Sequence, residues 1–177
     1  MTTPLVLTFI GHDRPGLVSA ISHRVAAAGG TWLESRLAHL AGKFAGILLV
    51  GVPEANVAAF TAALRDLEAS GLRMTIERGA PTTERAGARI IELDLVGLER
   101  PGIVRDVTDA LTQLGVNIEE FSSGVEPEPF TGAEMFRAAA RLRIPDGLAD
   151  DDLRKTLERL AGEMMVDLTM GERKKER

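Results

Sequence analysis

Gly11-His12-Asp13-Arg14-Pro15-Gly16 returns as Gly97-Leu98-Glu99-Arg100-Pro101-Gly102, at an offset of 86 residues. Each copy stands ahead of an apolar run with helical spacing, and a turn of this kind can hold a small anion. Backbone N–H groups at a helix start lack intrahelical acceptors and lie at the positive end of the helix dipole. A carboxylate can be held there without help from Lys or Arg. Gly16 and Gly102 allow a ligand close to the backbone, and Pro15 and Pro101 suit the first helical turn. Asp13 and Glu99 sit where they could instead cap the helix. A purely structural strand-to-helix turn therefore stays open as the alternative, because duplication copies structure as readily as function.

Other chemistry has less support. His12, His23 and His39 do not share metal-ligand spacing with converging carboxylates, so no metal is expected. Ser19, His12 and Asp13 can be drawn as a hydrolase or transferase set, but no nucleophile elbow accompanies them and no enzyme is expected. No Gly-x-Gly-x-x-Gly or Walker sequence is present, so no cofactor is expected either. The absence of cysteine removes disulfides, thiolate ligands and a Cys nucleophile. A formal charge of −5, with 4% aromatic residues and no Tyr, argues against direct nucleic-acid binding, which needs basic surface and stacking platforms. The Met1-Thr2-Thr3-Pro4 start shows no signal-peptide pattern, and no apolar run is long enough to span a bilayer. The expectation is a cytoplasmic protein with no membrane partner.

The elements that must position the turns repeat with them. Leu5, Leu7 and Phe9 alternate as a strand and map onto Ile91, Leu93 and Leu95. Leu17, Val18, Ile21 and Val25 have helical spacing and map onto Ile103, Val104, Val107 and Leu111. Gly29-Gly30 ends the first helix. Residues 31–41 and 44–52 read as a hairpin, Val57, Phe60, Leu64 and Leu67 as a second helix, and Leu72, Met74 and Ile76 as a closing strand. The second half predicts strands near 89–97, 116–125, 134–144 and 164–170, with helices near 101–114 and 149–161. Its hairpin is longer, around Glu126-Pro127-Glu128-Pro129.

This order, βαββαβ twice, predicts an α+β protein of two ferredoxin-like modules, each an antiparallel four-stranded sheet with two helices on one face. The expected domains are 1–78 and 89–171, joined by a linker at 79–88 and followed by a charged tail at 172–177. In the third strand Ile47 and Leu49 fall opposite Phe44, Leu48, Val50 and Val52, given one irregularity near Gly46. Both faces of that strand are apolar, so the outer one is expected to be covered. The matching outward row in the second half is Arg137, Ala139, Arg141 and Arg143.

The pattern Asp/Glu-Arg-Pro-Gly-Ile/Leu-Val, followed about fifteen residues later by Asn/Thr-Ile/Trp within βαββαβ, resembles the ACT domain in both halves. Tandem copies, with Leu33-Glu34-Ser35-Arg36-Leu37-Ala38 and Phe44-Ala45-Gly46-Ile47-Leu48-Leu49-Val50, look like the glycine cleavage system transcriptional repressor group. ACT domains commonly bind amino acids at an interface between two modules. The resemblance implies ligand contacts at His12, Asp13, Arg14, Gly16, Leu17 and Val18, with Thr31. A second set would be Leu98, Glu99, Arg100, Gly102, Ile103 and Val104, with Asn117. The Asn117 amide can both donate to and accept from a zwitterion, although Asn also suits a turn after Gly115. Thr31 stands where the ACT pattern often has Asn, and Leu98 where the first copy has His12, so two unequal sites are expected. The resemblance implies a non-enzymatic, homo-oligomeric regulator. It would sense a small amino acid, glycine in the repressor group, and act on transcription through a protein partner, a transcriptional activator. A stand-alone regulatory subunit docking on a metabolic enzyme is the alternative.

Overall fold

The computed structural model of the protein describes residues 1–80 and 89–172. Most of the expected linker and nearly all of the charged tail lie outside the described residues. The chain forms two compact units. The first contains β1 (Thr2–His12), α1 (Leu17–Ala27), β2 (Thr31–Leu40), β3 (Lys43–Pro53), α2 (Val57–Arg65) and β4 (Arg73–Arg78). The second contains β5 (Arg89–Leu98), α3 (Ile103–Gln113), β6 (Asn117–Pro127), β7 (Glu134–Ile144), α4 (Asp150–Met164) and β8 (Val166–Glu172). The sheets run β2-β3-β1-β4 and β6-β7-β5-β8, with every neighbouring pair antiparallel. Each is the ferredoxin-like α+β arrangement.

Strand alternation builds both cores. Leu5, Leu7 and Phe9 of β1 and Leu48, Val50 and Val52 of β3 meet Leu17, Ile21 and Val25 of α1 and Phe60 and Leu64 of α2. Leu93, Leu95 and Leu142 meet Val107, Leu111, Leu153 and Leu157 in the second module. Each such large side chain contributes about 1.5–3 kcal/mol by leaving water. Among the described residues no polar or charged residue is buried. The inner faces are therefore pure packing surfaces, and chemistry is left to the turns and outer faces.

The irregularity lies elsewhere than near Gly46. The β1–β3 register is unbroken from Thr2↔Pro53 to His12↔Lys43. The β2–β3 and β6–β7 pairings instead shift between Trp32 and Glu34 and between Ile118 and Glu120. These shifts sit at equivalent places in the two copies, so the bulge was duplicated with the fold. Ala41 and Gly42, with φ of 48° and 73°, close the first hairpin as two left-handed residues, the geometry that follows strand twist. Residues 128–133 make the longer second turn.

The outer faces differ as their sequences predict. In the first module Ile10, Leu33, Leu40 and Ile47 are exposed. In the second, Arg137, Arg141 and Arg143 are matched by acids of β6. Arg143 Nε donates to Glu119 Oε1 at 2.6 Å, Arg141 Nη1 to Glu120 Oε1 at 3.2 Å, and Arg137 pairs with Glu126 at 3.7 Å.

One surface clamp ties the first sheet together. Arg78, at the end of β4, donates to both oxygens of Glu54, just after β3, at 2.6 and 3.1 Å. With the Thr3 hydroxyl also donating, this lowers the Glu54 pKa from 4.5 to about 2, Arg78 being the main cause. A carboxyl depressed on folding stabilises above its unfolded value, and that contribution fades as pH falls toward the folded one. Arg78→Ala should lower the melting temperature slightly at pH 7. The gap to the parent should narrow between pH 4.5 and about 2 and close below that. Thermal melts across this range are the check, and a gap constant with pH would remove the clamp.

Candidate functional site

Both first strands run into a turn that ends on a left-handed glycine, Gly16 at φ 91° and Gly102 at φ 87°. The helices begin at Leu17 and Ile103, so each glycine is the N-cap and Pro15 and Pro101 lie just before the helix. No side chain caps either start. The capping alternative for Asp13 and Glu99 is therefore not realised. The Asp13 N–H donates to the Gly42 carbonyl at 3.1 Å, while its carboxylate lies 3.7 Å from His39 Nε2. The Glu99 N–H donates to the Glu134 carbonyl at 2.9 Å. Backbone bonds to the hairpin thus fix both turns and leave the helix-start amides without a side-chain acceptor.

The first turn borders open space. A Cβ built on Gly16 would meet nothing within 4 Å. A cleft of about 200 Å³ lies beside it, lined by Gly11, His12, Arg14, Leu17, Ser70, Gly71 and Leu72. Ligand pockets for larger molecules run to about 300–1,000 Å³, so this one suits a few heavy atoms. Arg14 Nη2 donates across it to the Ser70 carbonyl at 3.0 Å. Among the described residues no carboxylate pairs with Arg14. Lys43 Nζ sits 3.1 Å from His12 Nε2, on the β3 side of the first strand. Leu17 is buried and Val18 exposed.

The second turn is occupied. Arg105 Nη2 would stand 3.1 Å from a Cβ on Gly102. Asp106 holds it there, accepting from Arg105 Nη2 and Nε at 2.7 and 3.0 Å and from Arg100 Nη2 at 2.8 Å. These bonds, Arg105's first and then Arg100's, keep the Asp106 carboxyl below the usual range. Ile103 is buried, and Leu98 and Val104 are exposed. In the second module a small apolar gap of about 10 Å³ lies among Leu93, Leu95, Val104, Phe121 and neighbours, with no polar side chain in its lining to orient a ligand.

The structure does not bring every expected contact together within a module. Thr31 pairs with Gly51, which pairs with Pro4, whereas His12 ends the same strand. Eight residues of strand put Thr31 about 26 Å from the turn. Asn117 pairs with Arg143, itself opposite Ile90, and Leu98 lies at the far end of β5. Neither Thr31 nor Asn117 can share one small ligand with its own module's turn. Ser19, His12 and Asp13 form no relay, because His12 meets Lys43 and Asp13 meets His39. Among the described residues no three His, Asp or Glu converge at metal-binding spacing. Sequence reasoning missed Ser70, Arg105 and Asp106. The one readable signal was Arg105-Asp106 in a helix's first turn, where the first copy has Ser19-Ala20.

The two modules share the ferredoxin-like strand order and a glycine-capped turn after the first strand, an ACT-like arrangement made twice. Residues 3–77, most of the first module, match the ACT-domain family model, and the second module repeats the topology of the first. No curated protein matches the chain at a significant level. An unknown protein from Galdieria sulphuraria is 29% identical, with a TM-score of 0.87 over 98% of this chain and 100% of its own. A candidate glycine cleavage system transcriptional repressor is 21% identical, with a TM-score of 0.71 over 99% of both chains, a likeness of fold.

Replacing the cap tests its backbone requirement. Gly16→Ala meets no clash, so its cost is that of holding alanine in the left-handed region, about 1–2 kcal/mol. Denaturant unfolding should show this loss in midpoint without a change in slope. An unchanged midpoint would mean the turn relaxes freely.

Proposed function

We propose that the protein is a non-enzymatic regulator that senses a small amino acid and acts on transcription through a protein partner. The observation that carries this reading is the Gly16 turn, open to space, beside a small cleft that Arg14 lines. A ligand carboxylate would be held by the guanidinium and the unpaired amides, which together give charge-assisted hydrogen bonds. Thr31 and Asn117 remain in the proposal only as contacts from another copy of the module. The likeness in fold to a candidate glycine cleavage system transcriptional repressor makes glycine the first ligand to try, and a transcriptional activator is the partner class that the sequence resemblance implies. The formal charge of −5 favours action through that partner over direct contact with DNA.

Ligand binding produces a signal only if the partner prefers one of two states that the ligand binds unequally. Micromolar affinity corresponds to about 8 kcal/mol. Moving a two-state equilibrium from mostly off to mostly on needs about 5.5 kcal/mol of difference. An amino acid at that strength suffices if most of its binding energy belongs to one state.

A second reading is a regulatory subunit that docks on a metabolic enzyme, supported by the exposed Ile10, Leu33, Leu40 and Ile47 on the first sheet. Calorimetric titration of the whole protein with the twenty common amino acids separates the two. Saturable heat from at least one is expected. Silence from all twenty would leave only the docking role.

A further inference from the structure

Within the sensing reading proposed above, we infer that the two turns are not equivalent sensors: the first takes the ligand's carboxylate on Arg14, and an internal ion-pair lock formed by Asp106 closes the second. Arg14 and Arg100 are equivalent residues 86 positions apart, but their surroundings differ. Arg14 is exposed and lends one donor to a backbone carbonyl, that of Ser70 at 3.0 Å. A carbonyl accepts a hydrogen bond without neutralising the guanidinium, so a carboxylate arriving in the cleft meets a full positive charge and several unused donors. Arg100 is half-buried and already carries a carboxylate, with Asp106 Oδ2 at 2.8 Å. A ligand would have to displace that side chain, which is tethered six residues away at high local concentration.

The same Asp106 does a second thing. Through Oδ1 it draws Arg105 over the helix start, where the guanidinium stands 3.1 Å from where a Gly102 Cβ would be. That is the space a ligand needs in order to reach the backbone. The first module has Ser19 and Ala20 at these two positions, side chains too short to cover the turn or to pair with Arg14. Two substitutions in one helical turn thus convert an open anion site into a self-satisfied one. Because its arginine bonds keep the Asp106 carboxyl ionised below the usual carboxylate range, the lock persists across physiological pH.

The test uses the whole protein and titration calorimetry with the twenty common amino acids, each variant first shown to melt cooperatively. The parent should bind one equivalent per chain. Arg14→Gln, an exposed change, should weaken that binding by about tenfold or more, while Arg100→Gln leaves it unchanged. The double variant Arg105→Ser with Asp106→Ala installs the first module's own residues and should bind a second equivalent. Two equivalents in the parent, affinity indifferent to Arg14→Gln, or a double variant that stays at one equivalent would each overturn the inference and leave amino-acid sensing standing. Silence from parent and double variant alike would overturn both.

Discussion

The constraint on which the rest depends is a left-handed residue between the first strand and the first helix. Only glycine takes that conformation without strain, and a glycine N-cap brings no side-chain oxygen to the helix start. No side chain therefore meets the first amides of α1 and α3, and in α3 the Ile103 N–H turns back to the Arg100 carbonyl at 3.4 Å. In α1 the nearby acid, Asp13, is drawn toward His39. In α3 the space is taken by an arginine that Asp106 holds. One backbone geometry thus yields an accessible electropositive turn in one module and a closed one in the other.

Duplication explains why the framework matches and the surfaces do not. Strand order, the positive-φ caps and the bulges at Trp32/Glu34 and Ile118/Glu120 recur at equivalent places. These features are fixed by backbone hydrogen bonding and core packing, so both copies must keep them. The outer sheet faces and the first helical turn carry no such load. There the first module exposes Ile10, Leu33, Leu40 and Ile47 beside the ion pair of Arg36 with Glu34, and is open at its turn, while the second is laced with ion pairs at both. Exposed ion pairs add little stability, but they satisfy the polar surface, and a surface satisfied internally has less to offer a ligand. Divergence has run in the same direction at two separate places.

Much of this was legible in the chain. The strand alternation of Leu5, Leu7 and Phe9, the helical spacing of Leu17, Ile21 and Val25, and their recurrence 86 residues later determined the element order. They determined the inner faces as well, because periodicity and burial follow from local geometry. The two turns were legible because glycine and proline constrain the backbone by themselves. The bulge was not, since pairing register depends on both strands at once and Gly46 was only a local cue.

Tertiary structure alone decided which turn is open. Arg14 and Arg100 look alike as letters, and the pairing of one with Asp106 and of the other with the Ser70 carbonyl depends on where a neighbouring helical turn and a distant loop come to rest. It also set Thr31 and Asn117 at the far end of the sheet from their own turns, a separation that strand direction creates and residue spacing conceals. Backbone preferences act between near neighbours and can be read from order. Electrostatic partnership and access are set by distances across the fold, and these exist only once the chain has packed.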